Sequence, residues 1–126
     1  MEAIYLDTHV VVWLYQKDLS KFSNKVLALM ENNDLLISPM VVLELELLNE
    51  IGRLTVKSSE IISELQKTVA LKVCDEKFSH VAHEAIDLSW TRDPFDRLIV
   101  ANSLCANAKL ISKDRTILKH CKNAVW

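Results

Sequence analysis

Apolar runs of about three residues alternate with amphipathic stretches along the whole chain, and this alternation constrains the fold more than any other feature. Ile4-Tyr5-Leu6, Leu35-Leu36-Ile37, Leu71-Lys72-Val73 and Leu110-Ile111-Ser112 are too short for helices and read as strands, with Ala124-Val125-Trp126 as a last edge strand. A strand covered on both faces loses its polar alternation, which marks a parallel sheet between helices. The expected architecture is therefore an α/β fold, a three-layer α/β/α sandwich around a parallel sheet of about five strands.

The stretches between the strands carry helix signals. A helix over about 9–15 follows the first strand, and residues 22–32 place Phe22, Val26, Leu29 and Met30 at helical spacing. Ser38-Pro39 supplies an N-cap and a first-turn proline for a helix that runs to about Ile51 and stops at Gly52. Ser58-Ser59 starts another, with Ile61, Ile62, Leu65 and Val69 on one side. Residues 78–88 are expected to bury Phe78, Val81, Ala82, Ala85 and Ile86. Asp93-Pro94 opens a helix to about Ala106, and Asp114 caps a short one.

Composition adds bounds. The 126 residues fit one domain, 1–126, and half are hydrophobic, enough for a core without staples. A net charge of −2 excludes a protein that coats nucleic acid by neutralising many phosphates. It leaves room for one that cuts nucleic acid with the help of a bound cation. Cys74, Cys105 and Cys121 are odd in number and scattered, which suits a reducing cytoplasm and neither a disulfide framework nor a zinc cage. The opening residues lack the basic segment of a secretory leader, and no apolar run approaches a membrane span.

Four carboxylates draw the functional reading, and each has a plain alternative. Asp7 directly follows the first strand, where an N-cap would also sit. Glu44 shares a helix stripe with Met40, Leu47, Leu48 and Ile51; a carboxylate there is paired, hydrogen-bonded or metal-bound, or else reaches to water from the stripe's edge. In Arg92-Asp93-Pro94-Phe95-Asp96-Arg97, Asp93 suits the N-cap and Asp96 falls in the first turn, where an acid complements the helix dipole. Asp114 could equally be only a cap.

Taken together these positions say more. Asp7 and Asp114 come just after strands, and Glu44 and Asp96 are read in the first turns of helices entered from the same end of the sheet. A parallel sheet brings such positions to one rim. Carboxylates crowded there repel unless a cation joins them, and an all-oxygen set suits Mg²⁺ or Mn²⁺. His80 and His83 lack a third ligand for zinc, His9 reads as structural or substrate-facing, and Trp13, Trp90 and Trp126 read as core or interface.

Ile4 to His9, Ile37-Ser38-Pro39 through Glu44, Arg92 to Ala101 and Leu110 to Asp114 together resemble the PIN-domain family, and within it the VapC-type toxins of toxin–antitoxin pairs. That resemblance implies a five-stranded parallel sheet and Mg²⁺- or Mn²⁺-dependent RNA cleavage leaving 5′-phosphate and 3′-hydroxyl ends. It further implies a cognate antitoxin and a homodimer. The family's four acids fall on Asp7, Glu44, Asp96 and Asp114, with Asp93 an additional acid or helix cap. Thr8, Ser112 and Arg97 are expected behind the acids or against substrate; Ser112-Lys113-Asp114 stands where the family commonly has Thr-Arg-Asp. Trp13, Leu14 and Phe22 would dock an antitoxin helix unless they fill the core. The competing reading is a catalytically silent PIN-like module that binds protein or RNA; a phosphate-accepting receiver lacks its mid-chain Asp, since residues 35–38 are Leu-Leu-Ile-Ser.

Overall fold

A computed structural model describes residues 2–126. Five strands form one parallel sheet: β1 (Ala3–Leu6), β2 (Asp34–Ile37), β3 (Lys72–Val73), β4 (Lys109–Ile111) and β5 (Ala124–Val125). Their order is β3-β2-β1-β4-β5. The chain thus builds outward on one side of β1 and then returns to build on the other. The strand order reverses between β1 and β4, the place where sheets of this kind bind ligands beyond the carboxyl ends of their strands.

Seven helices flank the sheet: α1 (Thr8–Tyr15), α2 (Asn24–Asn32), α3 (Pro39–Glu50), α4 (Ser58–Val69), α5 (Phe78–Ala85), α6 (Pro94–Cys105) and α7 (Arg115–His120). A single 3-10 turn, Leu19–Lys21, joins α1 to α2. The expected caps are in place: the Ser38 hydroxyl accepts from the Met40 amide at 3.1 Å ahead of Pro39, and Ser23 caps α2. Gly52, at φ +81°, takes the left-handed conformation that lets the chain leave the end of α3.

The central strands are as apolar as their sequence requires. Ile4, Leu6, Ile37, Leu110 and Ile111 are fully buried, and α6 contributes Ile99 and Val100 to the same core. Two expected stripes differ from what the structure shows. Phe78 and Ile86 are each 64% exposed, because α5 packs chiefly on α6 through Val81 and Ala85 and so buries only a narrow strip. On α3 the buried residues are Val41 and Leu45, whereas Leu47 and Ile51 are exposed. The stripe that Glu44 shares therefore faces largely outward.

Candidate active site

Asp7 leaves the carboxyl end of β1 and caps α1, and only 6% of its surface is exposed. Its backbone N–H donates to the Ile111 carbonyl at 3.0 Å, fixing it beside the end of β4. Both carboxylate oxygens are held. Oδ1 accepts from the Thr8 amide at 2.8 Å, and Oδ2 accepts from the Ser112 hydroxyl at 2.7 Å. Burial pushes this carboxyl above its usual range, against the pull of these two donors and the charge of His9.

Thr8 and Ser112 each join two acids. The Thr8 hydroxyl, on a residue only 1% exposed, donates to Glu44 Oε1, while its amide holds Asp7. The Ser112 hydroxyl donates to Asp7 and accepts from the Asp114 amide at 3.1 Å. Glu44 is thus brought to the rim by Thr8. It lies beyond the first turn of α3, which contains no acid, correcting the expected placement. Its carboxyl is also raised, by burial first and then by the charges of Asp7 and Asp93.

Asp93 and Asp114 are N-caps. Asp93 Oδ1 accepts from the amides of Phe95 at 2.8 Å and Asp96 at 3.3 Å. Asp114 Oδ1 accepts from Thr116 and Ile117, both at 2.9 Å. Asp96, in the first turn of α6, is pushed up to about 7, by burial first and then by the charges of Asp93, Asp7, Asp114 and Glu44. Five carboxylates from four elements therefore feel one another at one end of the sheet.

Arg97 does not join them. Its Nε and Nη2 donate to the Ala85 carbonyl at 3.3 and 3.0 Å, and Nη2 also to the Ile86 carbonyl at 2.9 Å. The guanidinium satisfies the carbonyl end of α5, where a cation suits the helix dipole. The expectation that Arg97 backs an acid is corrected: it backs the end of α5. Phe22, expected as a docking residue, is buried at 7% exposure against Trp13 and Trp126; Trp13 and Leu14 are half-buried.

The donors suit a hard divalent cation. All are carboxylate oxygens, without the sulfur or imidazole that favours zinc. Among the described residues, the one ion pair within 4.0 Å is His80 with Glu76, so no lysine or arginine neutralises the rim. Also among the described residues, no three Asp, Glu, His or Cys side chains are set closely enough to hold a metal ion as they stand.

A 3-2-1-4-5 parallel sheet with acids gathered at its switch point defines a class of α/β protein that presents carboxylates to a ligand at the strand ends. This chain belongs to the PIN domain family, whose match covers residues 4–123. No curated protein shows significant sequence similarity to it. Solved structures share the fold. VapBC2 from Rickettsia felis, bound to a DNA fragment from its promoter, aligns with a TM-score of 0.69 at 17% identity, covering 98% of this chain and 96% of that one. A toxin–antitoxin complex from Klebsiella pneumoniae aligns at 0.61 and 11% identity, with coverages of 98% and 96%. VapBC-1 from nontypeable Haemophilus influenzae aligns at 0.58 and 18% identity, with the same coverages. No helix among the described residues is long and apolar enough to cross a membrane.

Proposed function

We propose that the chain is a Mg²⁺- or Mn²⁺-dependent endoribonuclease of the VapC kind, the toxin of a toxin–antitoxin pair. The observation that carries the reading is the linkage of Asp7 to Glu44 through Thr8 and to Asp114 through Ser112, with Asp96 near enough to feel their charges and, among the described residues, no lysine or arginine paired with any of them. Membership of the PIN family and the fold shared with three toxin–antitoxin structures support it.

In this reading Asp7, Asp96, Glu44 and Asp114 hold the cation. When bound, it supplies charge neutralisation for the phosphodiester and polarises the attacking water. Thr8 and Ser112 keep the carboxylates aimed, which is the usual work of partners behind ligands. Asp96 would have to give up its proton to serve as a ligand, so cation affinity would rise with pH through about 7. Asp93 remains the helix cap.

A groove of ≈350 Å³, lined by six apolar side chains including Leu14, Leu27 and Met30 together with Glu31 and Asn33, offers a seat for an amphipathic antitoxin helix. A partner arginine would then satisfy the rim in place of the cation. Co-expression with the product of an adjacent reading frame checks this arm: that product should co-purify and suppress cleavage.

The ribonuclease assay uses a single-stranded RNA with Mg²⁺, with EDTA, and with purified Asp7→Asn protein of native circular dichroism. Cleavage should need Mg²⁺. It should fall on the order of a hundredfold or more in Asp7→Asn, beyond the range for residues behind the ligands. Full cleavage in EDTA or by Asp7→Asn would contradict the reading.

A further inference from the structure

Beside the acid rim stands a small group of rings and ammonium groups that the acids do not account for. Trp13 of α1, Phe22 and Trp126 pack together with centroids 5.8 to 6.3 Å apart. Lys113 Nζ lies 5.4 Å from the Trp126 ring centre and 5.9 Å from that of Trp13, and Lys21 Nζ lies 5.7 Å from Trp13. Both lysines are exposed, and among the described residues neither forms an ion pair.

The group is joined to the rim at two points. Lys113 lies between Ser112, which holds Asp7, and Asp114. The His9 ring is 6.2 Å from Trp13, and its charge reaches Asp7 and Glu44. We infer that Lys113 and Lys21, steadied by Trp13 and Trp126, contact backbone phosphates of a single-stranded RNA as it leaves the acid rim. This inference rests on the ribonuclease reading and extends it to how the substrate strand is held.

A chain with net charge −2 cannot attract a polyanion through its overall field, so the attraction must be local. The rim itself repels every phosphate except the one at the cation, and the neighbouring phosphates need cations of their own. The bland alternative is that the lysine stems merely cover the rings while their heads stay in water. In that case the lysines would make no difference to RNA.

The test measures binding of a 5′-fluorescein-labelled U12 oligoribonucleotide by anisotropy, in EDTA and in the Asp7→Asn background, so that the probe stays intact. Lys113→Gln and Lys21→Gln should each weaken binding by roughly three- to tenfold at low salt. The double variant should flatten the slope of log Kd against log salt by about 1.4, given about 0.7 per neutralised phosphate on a single strand. Lys113→Arg should bind as the parent does. Near-ultraviolet circular dichroism checks that the tryptophan cluster is intact in each variant. A double variant with intact rings and the parent's affinity and slope overturns the inference, as does a parent that does not bind the probe. Metal-dependent cleavage by the wild-type protein together with lysine-independent binding rejects this inference and leaves the ribonuclease reading standing. Lysine-dependent binding without any cleavage does the reverse.

Discussion

The Ser112 hydroxyl donates to Asp7 and accepts from the amide of Asp114, so the aim of two acids depends on one oxygen. Ser112→Ala should weaken Mn²⁺ binding and cleavage by roughly 10–100-fold, the cost typical of losing a partner behind a ligand. It should lower stability by about 1–3 kcal/mol, since two hydrogen bonds are lost and one of them is to a buried carboxylate. A metal titration and a denaturant melt on the same protein check both. The two acids of the α6 entrance should part company as well. Asp93→Ala removes a cap and should cost about 1 kcal/mol while sparing the chemistry. Asp96, raised to about 7 in the fold, binds more protons folded than unfolded between the usual carboxylate range and that value. The metal-free protein should therefore lose stability as pH rises from about 5 to about 8, because folding then holds an ionised Asp96 among like charges. Melting curves in EDTA should show the fall, and Asp96→Asn should reduce it, the remainder coming from Asp7 and Glu44, whose carboxyls are also raised.

Among the elements, α6 is the one whose position matters most, since it carries Asp96 and fills the core with Ile99 and Val100. Arg97 ties its first turns to the end of α5 through the Ala85 and Ile86 carbonyls. Arg97→Met should lower stability by about 1–3 kcal/mol, the range for hydrogen bonds to a charged group, and leave metal-saturated cleavage within about threefold. Denaturant unfolding beside a cleavage assay reads both. The helix signals made α6 visible in advance, because Asp93-Pro94 is an N-cap followed by a first-turn proline. What Arg97 does was invisible: its acceptors lie eleven and twelve residues back, on a helix whose docking no local pattern records. The stripe on α5 was overdrawn for a related reason. Periodicity shows which residues share a face but not how wide a neighbour covers it, and α6 covers only Val81 and Ala85. The lysine–tryptophan group was hidden because its rings come from α1, the turn before α2 and the end of the chain.

At the scale of the molecule, the acids meet because the sheet is parallel and its order turns at β1. Asp7 and Asp114 could be placed from sequence, since each follows an apolar run and a parallel sheet sends all strand ends the same way. Glu44 was singled out for an apolar stripe that is in fact largely exposed, and it reaches the rim through the Thr8 hydroxyl. The acids of this rim are proposed to hold a divalent cation. Calorimetric titration of Mn²⁺ into the metal-free protein, its Asp7→Asn variant and its Asp93→Asn variant tests that claim most directly. Saturable binding is predicted for the wild-type and Asp93→Asn proteins, with affinity at least about tenfold weaker in Asp7→Asn, as expected when a carboxylate ligand is lost. Equal affinity in all three proteins, or no binding to the wild-type protein, would contradict it.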